Sequence, residues 1–209
     1  MDKKIIIIAI IIAVILILGI PAYESYQNQM LSENFNKSIQ NASSIETQII
    51  NATDKFNHQN TTDVDELIST INNDMAPKYS EELYKLNETA QFTFNDTEHN
   101  YIDLQIKRIT LESENLNATV TTLNAISQFV RGEKSPNDAQ QAINDANTLM
   151  TKNNEELNKI YSDIKSLLSN NPDLNKKLRD LKLEKSYYGE SNIQANTQNL
   201  TNTTENTTQ

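Results

Sequence analysis

Three features of the sequence predict an all-α protein. Glycine is scarce, helix-ending residues stand at a few isolated points, and apolar residues between those points recur every three or four positions. Only 3 Gly and 4 Pro occur in 209 residues, where average usage would place about 15 Gly. Hairpin turns and dinucleotide-binding crevices draw on clustered Gly, so sheets, barrels and nucleotide-binding folds are excluded at the outset. No Cys occurs, which removes disulfides, thiolate catalysis and Cys-ligated metals.

The first element is apolar. Met1-Asp2-Lys3-Lys4 is followed by Ile5 to Ile20 without a polar side chain. Carried to Ala22, the stretch makes about 27 Å of helix, close to the ~30 Å of a hydrocarbon core. Tyr23 and Tyr26 suit the headgroup level, and Lys3 and Lys4 favour the cytoplasmic side. Residues 1–22 read as a cytoplasmic stub and a transmembrane signal-anchor in the lipid bilayer, with the rest of the chain extracytoplasmic. The alternative is a cleaved signal peptide and a secreted body, although the apolar run exceeds an ordinary signal core and no A-x-A precedes Tyr23. Ile20-Pro21-Ala22-Tyr23, with Tyr26 three residues on, resembles the membrane-exit segment of type IV pilins. Lys4 and Ile5 stand where that family carries its Gly cleavage site and Glu. A pilin-like filament subunit is therefore only a minor alternative.

The body, 23–188, divides at its Pro and Gly residues. Ser135-Pro136 and Asn171-Pro172 each look like an N-cap followed by Pro at the first helical position. Gly132 and Gly189 follow apolar-periodic runs, as left-handed C-terminal glycines do. Asp63 with Glu66, and Asn95 with Glu98, have the spacing of capping pairs. Leu31, Phe35, Ala42, Ile45, Ile49, Ala52 and Phe56 form the first apolar series, with Ser38 in its seam. Similar series over 102–130 and 139–167 carry Ser113, Ser127 and Asn153 in theirs. Sustained 3.5-residue spacing predicts antiparallel helices packed in coiled-coil fashion.

Long runs at 23–57, 96–130 and 136–169 suggest a three-helix trunk with its breaks at 58–62, 93–96 and 170–171 all at one height. Runs 63–75, 80–93 and 172–188 would then form a short head, giving a rod about 75 Å long. The alternative is a four-helix bundle about 50 Å long, with 63–93 folded back beside the trunk around Pro77. Lean seams interrupted by polar residues also predict moderate stability and self-association.

After Gly189 the chain becomes Asn-, Thr- and Gln-rich, with too few apolar residues to offset the entropy of ordering. Residues 189–209 are expected to be disordered. N-glycosylation sequons occur at Asn36, Asn41, Asn51, Asn60, Asn87, Asn95, Asn117, Asn199, Asn202 and Asn206. None occupies an inferred seam, as an exported, surface-exposed acceptor requires.

Chemistry is sparse. The two His residues, His58 and His99, sit near Asp54 and Asp96 at helical spacing. A shared weak ion site there would require the breaks to align, and the Glu-x-x-His pairs of di-metal bundles are missing. No Gly-x-Ser-x-Gly elbow is present. Glu81-Glu82 and Glu155-Glu156 read as solvated helix faces, and the Lys/Arg-rich 176–185 segment as an ordinary charged face. A net charge of −10 disfavours nucleic acid. No catalytic, cofactor-binding or metal-binding residues are expected, and no small-molecule substrate.

The expectation is a non-enzymatic, membrane-anchored helical stalk or interaction protein of the cell envelope, meeting a protein partner or itself through its helices. A ligand-binding or sensing accessory subunit of another membrane protein is the alternative.

Overall fold

The computed structural model describes residues 3–59 and 61–191, with side chains from Tyr26 onward. Its regular structure is helical: α1 (Lys3–Asn57), α2 (Val64–Thr70), α3 (Ala76–Ala90), α4 (Asp96–Val130), α5 (Pro136–Asn170) and α6 (Pro172–Leu181). A π-turn at Ile71–Met75 joins α2 to α3, and a 3-10 turn follows at Lys185–Tyr188. The all-α expectation holds. Among the described residues no helix is long and apolar enough to cross a membrane. The side chains of the expected span, 5–22, lie outside those described, as do the tail from Asn192 and the sequons Asn60, Asn199, Asn202 and Asn206.

The helix ends follow the local chemistry. The Asp63 carboxylate accepts from the amides of Asp65 at 3.0 Å and Glu66 at 3.4 Å. At α4 the capping is reciprocal: Asn95 Oδ1 accepts from Glu98 N, and Glu98 Oε2 accepts from Phe94 N, both at 2.9 Å. Ser135 caps α5 by accepting from Asp138 N. Asn171 differs, because its side chain donates back to Leu167 O at 2.7 Å and makes no cap bond to α6. Gly132 and Gly189 both adopt positive φ.

Consecutive long elements run antiparallel, and side-chain pairs fix their levels. Thr89 on α3 donates to Ser38 on α1 at 2.9 Å, Arg108 on α4 meets Glu82 on α3, and Asn115 on α4 donates to Asn154 on α5. The two-tier rod is therefore corrected. Residues 63–93 do not form a head; they lie back along α1 and α4, as in the alternative arrangement.

The reason lies at Pro77, which does not end the helix. Proline cannot donate and its ring crowds the preceding turn. A π-turn absorbs the conflict, with Ala76 N bonding five residues back to Ile71 O. Ile71 and Met75 then both face the core while Asn72, Asn73 and Asp74 face solvent.

The breaks do not share one height either. Asp65, at the start of α2, meets Ser127 and Arg131 at the end of α4, so the 58–63 and 131–135 connections occupy one end. Asn95 and Asn171 line one cavity at the other.

The expected single helix over 172–188 is also divided. α6 stops where Lys182 turns left-handed, at φ 54°. Leu183–Gly189 then forms a strap along α1 and α5. Thr47 donates to Glu184 Oε1 at 2.6 Å, and Glu184 N donates to Ser43 Oγ at 2.8 Å. Gly189 is buried against Tyr161 and Lys165, so order extends past the expected start of the tail. The strap closes the core over Phe35, Tyr101, Ile102, Ile109, Ile164 and Leu178.

Candidate functional site

The middle of the bundle is polar. Arg108 projects from α4 into the interior and is 0% exposed. A guanidinium offers five N–H donors, and here all five are used. Nε donates to Gln105 Oε1 at 2.8 Å. Nη1 donates to Glu46 Oε1 at 3.1 Å and to the Glu112 carboxylate at 3.2 and 3.3 Å. Nη2 donates to Glu46 Oε2 at 2.8 Å and to Glu82 Oε1 at 3.1 Å. One cation thus gathers carboxylates from α1, α3 and its own helix.

Tyrosines and the strap complete the shell. Tyr187 OH donates to Glu82 Oε1 and Tyr161 OH to Glu112 Oε1, both at 2.9 Å. Ser186 Oγ donates to Glu46 Oε1. The Tyr187 ring lies 5.3 Å from the guanidinium carbon. The Tyr187 carbonyl accepts from Tyr101 OH at 2.8 Å. Four helices and the strap therefore converge on Arg108.

Burial sets the protonation. It pushes the Glu82 carboxyl well up; Arg108 opposes this, and Glu46 and Glu112 reinforce it. Glu112 is raised for the same first reason, burial, against the pull of Arg108. Burial also works against the charge on Arg108, but Glu46, Glu112 and Glu82 outweigh it and hold the guanidinium protonated. Tyr101 and Tyr187 are raised chiefly by burial, so both phenols stay neutral donors. Glu82 Oε2 is sealed from solvent without a hydrogen-bond partner. The cluster is a clamp closed over Arg108 and Glu82, whose side chains are both sealed from solvent.

The sequence reading placed Glu82 on a solvated face, and this is corrected: the side chain is fully buried. Local pattern does not single out Glu46, Gln105 or Arg108. Their available signal was position, each lying one residue from an apolar seam member, but the same spacing describes many flanking charges. The polar seam residues fare better. Ser38, Ser127 and Asn153 are buried and hydrogen-bonded to Thr89, Asp65 and Glu114, while Ser113 is half-buried.

Of the described sequon residues, Asn41, Asn51, Asn87, Asn95 and Asn117 are exposed, and Asn36 is half-buried with Oδ1 sealed and unpartnered. His58 bonds Asp54, as its spacing implies, but His99 faces Asp103 rather than Asp96. The two His residues stand at opposite ends, so a shared ion site is excluded by geometry. In the last helix Lys177 is half-buried, pairing with Glu98 at 2.9 Å over the Phe35 ring, and the neighbouring Lys176 and Arg179 face solvent. The Lys177–Glu98 pair borders an end cavity of about 330 Å³, lined also by Asn95, Asn171 and Leu174. No protein-family model, curated protein or solved structure matches the chain.

Proposed function

We propose that the chain is a membrane-anchored extracytoplasmic stalk of the cell envelope, acting through protein contact and carrying out no catalysis. The observation that carries this reading is the continuity of α1, one helix of 55 residues from Lys3 to Asn57, about 83 Å long. It joins the Ile-rich segment to the body without an intervening loop, as a stiff tether requires. The bundle interior is filled by the Arg108 clamp and the strap, which favours a closed stalk over a ligand-binding accessory subunit. In this reading the strap docks about 36 Å along α1 from Ala22, where Ser186 meets Glu46. The exposed acceptors Asn41, Asn51, Asn87, Asn95 and Asn117 would carry glycans on α1, α3 and α4, leaving α5 and α6 bare for a partner or a second copy.

The absence of Cys makes the topology directly testable. Single-Cys variants Gln48→Cys and Asp2→Cys are expressed in intact cells and treated with a membrane-impermeant maleimide. Labelling of Gln48→Cys before lysis and of Asp2→Cys only after lysis is expected. Protection of Gln48→Cys in intact cells would sink the extracytoplasmic assignment, and recovery of the chain without membranes would sink the anchor.

A further inference from the structure

We propose that Glu82 retains a proton that locks the strap, Leu183–Gly189, into the bundle, and that losing this proton as pH rises releases the strap. The arrangement of donors around the three carboxylates selects Glu82. Glu46 takes a nitrogen of Arg108 on each oxygen and a further bond from Ser186. Glu112 takes Nη1 on both oxygens, adds Tyr161 OH, and keeps 12% side-chain exposure. Glu82 is 0% exposed, receives bonds only at Oε1, and leaves Oε2 sealed without a partner. A buried ionised oxygen without a donor is far costlier than a neutral carboxylic acid in the same place.

The charge balance agrees. One guanidinium faces three carboxylates in a dry interior, so a fully ionised cluster holds two negative charges beyond what Arg108 neutralises. Retaining one proton halves that excess. The ionisable groups facing Glu82 are Glu46 from α1, Tyr79 from α3 itself, Arg108 and Glu112 from α4 and Tyr187 from the strap, and Tyr101 from α4 and Tyr161 from α5 face the rest of the cluster. Arg108 is the cation among them, and its donors are already committed. Burial raises the carboxyl of Glu82 in the same sense.

The strap yields first because of how it is built. α1, α4 and α5 are long helices with their own ladders, whereas Leu183–Gly189 holds one 3-10 turn beyond a left-handed Lys182. Ser186 and Tyr187 donate directly to cluster carboxylates. Lifting the strap admits water to Glu82 and Arg108 while the helices stay in place. Short elements with few hydrogen bonds of their own occupy the low-stability end of a fold.

The test uses hydrogen exchange of the full chain in detergent micelles, referred at each pH to the unstructured rate. The amide of Glu184, which donates to Ser43 on α1, reports docking of the strap, those of Tyr187, Gly189 and Glu190 report its turn, and amides within α5 serve as the reference. Between the pH at which Glu82 loses its proton with the strap released and the higher pH at which it loses it with the strap docked, strap protection should fall about tenfold per pH unit, as release of one proton demands, and level off above that interval, while α5 keeps its protection. Glu82→Gln should abolish the fall.

A protonated-carboxyl C=O band in the infrared spectrum at neutral pH, missing from Glu82→Gln, is the direct signature of the held proton. If Glu82→Gln fails to fold, Tyr187→Phe replaces it: losing a donor to the carboxylate, it should move the transition to higher pH. Strap protection that is flat from about pH 5 to about pH 9 would overturn the proposal. So would a fall that persists in Glu82→Gln, an unmoved transition in Tyr187→Phe, or absence of the infrared band.

Discussion

Arg108 and Gly189 concentrate the sensitivity of this molecule at the scale of single residues. Replacing Arg108 by Met leaves Glu46, Glu82 and Glu112 buried without their cation, and breaking a buried ion pair from one side costs about 3–5 kcal/mol. Urea unfolding of Arg108→Met should show a loss of that size; a loss under about 1 kcal/mol would mean that the carboxylates simply take up protons. The glycines offer a paired contrast. A Cβ on Gly189 would meet Tyr161 O at 2.5 Å, whereas one on Gly132 meets nothing within 4 Å. Both residues have positive φ, so Gly132→Ala should cost about 1–2 kcal/mol from the backbone alone. Gly189→Ala should cost clearly more in urea unfolding, because the strap must shift off α5. Sequence reading found both glycines through their place after apolar runs. It could not rank them, since the difference is made by α5, distant in the chain.

At the scale of elements, the caps divide by mechanism. Asn95 is exposed yet supplies half of a reciprocal cap, so Asn95→Ala should destabilise by about 1 kcal/mol. Asn171→Ala should not remove an N-cap bond from α6, because that side chain serves the end of α5 instead. Chemical denaturation of the two variants separates these roles, and an equal loss through the start of α6 would contradict the assignment. Both positions were legible as Asn before a helix, with Pro following one of them. The choice between capping forward and bonding backward depends on backbone angles, and Asn171 at φ −132° and ψ 76° faces the helix it leaves. Pro77 teaches the same lesson in reverse. A proline that follows Asn72-Asn73-Asp74 signals a break, but burying Ile71 and Met75 together offsets a π-turn, and the helix continues through it.

At the scale of the whole molecule, the buried cluster ties stability to pH. Glu82 and Glu112 have folded-state proton affinities above those of the unfolded chain, chiefly through burial. The folded state therefore holds protons that the unfolded chain has already released. Their contribution is fully present below the ordinary carboxylate range, about pH 4.3 for Glu, and is lost as pH rises through the raised folded-state values. The unfolding free energy should thus decline from about pH 5 towards alkaline pH, and Glu82→Gln with Glu112→Gln together should flatten the decline. A profile that is level or rises over that interval would show that other groups dominate the linkage.

What the sequence by itself determined is the helical class, the positions of most helix ends, the polar seam residues and the apolar N-terminal run. Each of these depends on neighbours within one or two turns: a missing amide at Pro136, a capping oxygen at Asn95, a 3-to-4 spacing of Ile and Leu. The tertiary structure alone decided that 64–90 folds back along α1, that His58 and His99 stand apart, and that Glu46, Glu82, Arg108 and Glu112 meet. Local pattern tells which face of a helix is apolar but not which helix will cover it. A buried charge is recognisable only once its counter-charges arrive from elements 26 and 62 residues away, because until then a charged side chain beside a seam is at lowest free energy in water.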